Sequence, residues 1–118
     1  MAFRREVSIP GEVAVVVVAA GRGSRMESER NKVFLEVGGV PVIIRTLRAF
    51  SESGQVQKFI LVIGTEERTE MTALLEKWCP ELPVQLVYGG QERQESVHNG
   101  LMALAGDESV VLIHDGAR

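Results

Sequence analysis

Apolar and polar positions along the chain fall into blocks of two kinds. Residues 13–18 form a continuous run of valines broken only by Ala14, the pattern of a strand buried on both faces. Residues 59–63 (FILVI) repeat it, and residues 84–88 and 109–114 give a third and a fourth strand. Between these runs the spacing becomes helical. Ile43, Ile44, Leu47 and Phe50 share one face and Arg45 and Arg48 the other, with Pro41 placed for the first helical position and Gly54 for the exit. Met71, Leu74, Leu75 and Trp78 recur at i, i+3, i+4 and i+7, with Thr65 as the expected N-cap and Pro80 and Pro83 as the stop. Val97, Leu101 and Leu104 mark a third amphipathic helix, with Gly106 beyond it. Residues 33–37 are a short apolar piece closed by the Gly38-Gly39 turn.

The resulting order, β-α-β-α-β-α-β, predicts an α/β protein. The expected architecture is a Rossmann-like three-layer α/β/α sandwich with a mainly parallel sheet and right-handed crossovers. In such folds ligands bind beyond the carboxyl ends of the strands. Those ends carry residues 19–25, Gly64-Thr65, Gly89-Gly90 and Asp115.

Composition narrows the function classes. The chain has 118 residues, 45% hydrophobic and 25% charged, ordinary for a globular domain. A net charge of −3 argues against bulk attraction to nucleic acid or an anionic membrane. The single cysteine, Cys79, excludes an internal disulfide framework or a multi-cysteine metal site within these residues. The longest apolar run, residues 13–20, is far short of the ~20 needed to span a bilayer. The first ten residues lack the apolar core of a signal peptide, so the expected location is the cytoplasm.

Three strand ends carry candidate chemistry. Gly21, Gly23 and the cations Arg25 and Lys32 would suit a polyphosphate, with backbone N–H groups close to the anion. A tight turn after a strand also uses glycine for its own sake, and Glu27 and Glu29 could pair locally. The loop is neither the dinucleotide G-x-G-x-x-G pattern, since Met26 stands at the third glycine, nor a P-loop. Gly89-Gly90 would admit a flat group, and Arg93 and Ser96 begin a helix, where anions are favoured. Ser96 could equally be an ordinary cap and Arg93 a solvated charge. Asp115 sits where a carboxylate can hold Mg²⁺ against phosphates, or can simply form a turn before Gly116. His98 and His114 have no metal-ligand spacing and read as structural, as do Trp78, Met71 and Cys79.

Together these segments resemble a known family. AAGRGSRM (residues 19–26) followed by Lys32 is similar to the nucleotidyltransferase signature A-A-G-x-G-x-R-M…K, and residues 37–42 resemble its following G-G-x-P segment. Gly89-Gly90-x-x-Arg93-x-x-Ser96-Val97 and His114-Asp115-Gly116-Ala117-Arg118 are more specific. They resemble the 2-C-methyl-D-erythritol 4-phosphate cytidylyltransferases of non-mevalonate isoprenoid biosynthesis. The resemblance implies the nucleotide-diphospho-sugar transferase type of fold. It also implies transfer of CMP from CTP to the polyol phosphate with release of pyrophosphate. It assigns Arg25 and Lys32 to catalysis, and Ala19, Ala20, Gly21, Gly23, Gly89, Gly90, Arg93 and Ser96 to the nucleotide. Asp115 falls to Mg²⁺ or another divalent cation, and Arg118 to the second-substrate side. Homodimers are implied for full-length members.

Two departures stand out. Asn31 replaces the proline that often precedes the lysine. Family members are also much longer, so residues 1–118 correspond to the N-terminal, nucleotide-binding part of one cytidylyltransferase domain. A truncated domain of this kind is expected to be inactive alone and to leave a strand edge open. The alternatives are a pentitol-phosphate cytidylyltransferase, which shares the CTP-side motifs, and a non-catalytic nucleotide-binding fragment. A dinucleotide-dependent oxidoreductase would need the third fingerprint glycine and an acidic residue where Gly64-Thr65 stands.

Overall fold

The computed structural model describes residues 12–20, 32–106 and 108–116. Four parallel strands form one sheet in the order β5-β4-β1-β6: β1 (Glu12–Val18), β4 (Lys58–Ile63), β5 (Val84–Tyr88) and β6 (Glu108–Asp115). A separate two-stranded hairpin joins β2 (Glu36–Val37) to β3 (Val40–Pro41). Gly38 and Gly39 lie at φ 65° and 82°, the left-handed pair that a two-residue I′ turn demands.

β1 and β4 are central, which explains their uninterrupted apolar character. Val15 and Val17 face one layer together with Phe59, Leu61 and Ile63. That layer is closed by α1 (Val42–Glu52) and α2 (Arg68–Trp78), through Ile43, Ile44, Leu47 and Met71. Val16, Val18, Ile60 and Val62 face the opposite layer, which α3 (Arg93–Met102) covers. This is the expected three-layer sandwich. β6 lies at the sheet edge, and Val111, Leu112 and Ile113 on it are 36–44% exposed; among the described residues no strand pairs with its outer edge.

Three local expectations are corrected. Pro41 is the N-cap of α1 rather than its first residue, because its ψ of 144° is extended and the helix starts at Val42. Thr65 does not cap α2; the helix starts at Arg68 with Glu67 as N-cap. Glu67 instead turns back, its Oε1 accepting the Gly64 N–H at 3.0 Å. In α3 the fully buried residues are Ser96 and Gly100; of the expected stripe Val97, Leu101, Leu104, Val97 packs half-buried on the second layer. Leu101 is 39% exposed, and Leu104 lies beyond the helix end, where it packs on the second layer.

The third correction has a steric cause. A Cβ at Gly100 would lie 2.6 Å from Val16 Cγ1 and 2.9 Å from Val62 Cγ2. Small residues let α3 approach β1 and β4 closely.

Candidate functional site

The carboxyl ends of the four strands are locked to one another just where their loops depart. Ala19 N–H donates to Val62 O (2.8 Å), Gly89 N–H to Ile63 O (2.8 Å) and Gly116 N–H to Val18 O (2.9 Å). The ladder therefore runs one residue past β1, β5 and β6, and the loops leave a rigid rim.

Gly89 and Gly90 follow β5 and are held by the first turn of α3. The Gly90 N–H donates to Ser96 Oγ at 3.1 Å, and the Gln91 N–H donates to Glu95 Oε1 at 2.7 Å. Ser96 is the one buried polar residue among those described, 2% exposed. Gly89 is packed against it, for a Cβ there would lie 2.5 Å from Ser96 Oγ and 2.8 Å from the Ala20 Cβ. At Gly90 a Cβ would meet the Glu95 side chain at 2.4 Å. The double glycine thus answers a contact requirement, with both positions crowded by α3.

Asp115 ends β6 on the same side of the sheet as Val16 and Val18, since it pairs with Val18 in register. Its Oδ1 accepts from Arg93 Nε at 3.0 Å. Among the described residues Arg93 is the only partner of that carboxylate. The ion pair links the edge strand to the start of α3 and so joins two segments that were separate in the sequence pattern.

Lys32 begins a 3₁₀ turn, Lys32–Phe34, whose next two residues, Val33 and Phe34, are buried in the α1 layer. The lysine itself is exposed, on a turn held by its neighbours. Among the described residues no ion pair joins Lys32 to Asp115, whose carboxylate meets Arg93. Of the other expected site residues, Ala19 is buried and Ala20 packs on the α3 layer. Gly21, Gly23, Arg25 and Arg118 lie outside the described residues.

The structure therefore gathers Ala20, Gly89, Gly90 and Ser96 into one packed group and ties Arg93 to Asp115. Glu95, which fixes the Gln91 amide, was not anticipated; a glutamate in the first turn after a Gly-Gly loop is the signal that could have found it. His114 takes a structural place, its ring edge-on to Phe50 with centroids 5.3 Å apart.

The sequence profile of the IspD family, 2-C-methyl-D-erythritol 4-phosphate cytidylyltransferase, matches residues 13–118. The chain belongs to this family. It is 50% identical over 103 residues to the curated cytidylyltransferase of that name from Geobacillus kaustophilus, covering 87% of this chain and 45% of the relative. The corresponding protein of Bacillus pumilus is 49% identical over 104 residues, again covering 45% of the relative. Among solved structures, the 4-diphosphocytidyl-2C-methyl-D-erythritol synthase of Anaerococcus prevotii superposes with a TM-score of 0.75 at 31% identity. That match covers 92% of this chain and 44% of the other. The inositol-1-phosphate CTP transferase of T. maritima, at 17% identity and a TM-score of 0.71 over 90% of this chain, shares the fold. The chain spans less than half the length of these cytidylyltransferase relatives. Among its described residues no helix is long and apolar enough to cross a membrane.

Proposed function

We propose that this chain is the nucleotide-binding part of an enzyme that transfers CMP from CTP to 2-C-methyl-D-erythritol 4-phosphate. The observation that carries the reading is the Gly89-Gly90 loop clamped by Ser96 and Glu95 at the strand rim, within a chain of this cytidylyltransferase family. The acceptor's phosphate oxygen attacks the α-phosphorus of CTP. A bond forms there, the bond from α-phosphorus to the bridging oxygen breaks, and pyrophosphate leaves with the electron pair.

Both reactants are anions, so the main task is to offset their repulsion and the charge at the α-phosphate with positioned cations. Arg25 and Lys32 take that role in this reading. The backbone of Ala19, Ala20, Gly21 and Gly23 cradles the nucleotide. Gly90 and Ser96 recognise cytosine, with Gly89 letting β5 close on Ser96 and Ala20, and Arg118 serves the second-substrate side. The chemistry needs no protein nucleophile.

The donor set at the rim fits Mg²⁺. Asp115 offers hard carboxylate oxygen at the carboxyl end of β6. Mg²⁺ commonly takes one or two carboxylates and completes its shell with substrate phosphates and water. Bound at Asp115, it would supply positive charge to the triphosphate. Action in the cytoplasm and assembly as a homodimer belong to the same proposal.

Calorimetric titration of CTP with Mg²⁺ tests the assignment. Lys32→Ala and Asp115→Ala are each expected to weaken binding at least tenfold. Unchanged affinity in both would remove the site from this rim.

A further inference from the structure

We propose that Arg93 makes this site selective for a cation–triphosphate complex over the bare divalent cation. The inference rests on the reading of Asp115 as the metal ligand. Arg93 opens α3 and Asp115 closes β6, and their side chains meet at 3.0 Å while remaining 58% and 32% exposed. A divalent cation on the Asp115 carboxylate would stand about 6 Å from the guanidinium, given ordinary ligand and hydrogen-bond lengths.

Two effects of Arg93 on the cation oppose each other. The ion pair restrains the carboxylate, but a single exposed pair contributes little, a few-fold in affinity at most. Against that, a divalent and a monovalent charge at that distance repel by roughly tenfold in affinity even at the dielectric constant of water. Repulsion wins, so Arg93 disfavours the bare cation.

A triphosphate changes the balance. Its oxygens accept from the guanidinium, as phosphate–arginine geometry favours, and its negative charge offsets both cations. The penalty then falls on the lone metal and not on the metal–nucleotide complex, which is selectivity by penalising the wrong ligand. Arg93 also shares the first turn of α3 with Glu95 and Ser96, which hold the Gly90-Gln91 loop. A nucleotide that settles on this loop is therefore placed to draw Arg93 from Asp115 as its phosphates arrive.

Mn²⁺ serves as the probe, its free form read by electron paramagnetic resonance, with and without CTP. Arg93→Gln is expected to bind bare Mn²⁺ about tenfold more tightly than the unsubstituted protein, whereas Arg93→Lys, which keeps the charge, stays within about twofold. The gain disappears in Arg93→Gln/Asp115→Asn, and with CTP present Arg93→Gln shows no gain. The double variant separates a gain at Asp115 from Mn²⁺ held by carboxylates elsewhere on the chain. If Arg93→Gln shows no gain while Asp115→Asn weakens Mn²⁺–CTP binding, the selectivity role is wrong and the metal assignment stands. If Asp115→Asn leaves Mn²⁺–CTP binding unchanged, the metal assignment falls and this inference with it.

Discussion

Gly100 of α3 lies so close to Val16 of β1 that a Cβ added to it would come within 2.6 Å of the valine Cγ1. Valine in a central strand cannot retreat, because the α1 and α2 layer fills the other side of the sheet. Gly100→Ala therefore forces α3 outward. Overpacking of this kind costs about 1–3 kcal/mol, against a helix-propensity gain of about 0.5–1 kcal/mol for removing glycine. A net loss of stability is expected, read as a lower urea midpoint at unchanged slope. Ser96 lies one turn earlier on the same face, so CTP affinity should fall as well. An unchanged midpoint would mean that α3 does not rest on β1 at this contact.

Ser96→Ala removes the acceptor of the Gly90 N–H. An amide left without its partner in a partly buried place costs about 1 kcal/mol, the lower end of the usual range. The loop rather than the core should register the change. Amide exchange at Gly90 is expected to accelerate several-fold while exchange in β1 and β4 stays slow. CTP binding should weaken in parallel. Equal acceleration throughout the sheet would show that Ser96 acts on the whole fold and not on the loop.

These contacts mark the limit of what local sequence pattern conveys. β1 and β4 were legible because strands buried on both faces must be apolar at every position. α1 was legible because Ile43, Ile44 and Leu47 all point into one layer. α3 was only partly legible: Val97 packs on the second layer as expected, but the most deeply buried residues are the small Ser96 and Gly100, and the closeness of Gly100 to Val16 and Val62 depends on the sheet beneath. The start of α2 was misread because a turn, held by the Glu67 N–H on Gly64 O and the Gly64 N–H on Glu67 Oε1, separates Thr65 from the helix. At the site, the places of the Gly89-Gly90 loop and of the strand-end aspartate followed from the strand pattern alone. The Arg93–Asp115 pair did not, since these residues are 22 apart in the chain and meet only across the packed edge of the sandwich.

Cys79 caps the C-terminus of α2 and is 5% exposed. Burial pushes its thiol above the ordinary value, and the Arg48 charge offsets only part of that. The thiolate is the reactive form, so the native thiol should be inert toward alkylation. Iodoacetamide at pH 8 is expected to label it at least tenfold more slowly in the folded protein than in urea. Labelling at the same rate in both states would place Cys79 in solvent.

The last prediction concerns pH. Lys58 and Glu108 begin the two strands that flank β1, and their side chains meet across it, Nζ to Oε2 at 2.9 Å. The same carboxylate accepts the backbone amides of Ala105 and Gly106, fixing the turn into β6. The Lys58 hydrogen bond, with help from those amides, lowers the Glu108 pKa to about 2 despite desolvation. An unfolded glutamate titrates near ~4.3. The folded group thus binds its proton less readily than the unfolded one, and its stabilisation is complete above that unfolded value. It is lost as pH falls toward about 2. Urea midpoints measured from pH 6 down to pH 2 should decline in this window, and the decline should be shallower in Glu108→Gln. Lys58→Met, which removes the chief cause of the shift, should flatten the slope similarly. Equal slopes in all three proteins would show that the clamp over β1 contributes nothing to the acid stability of the sheet.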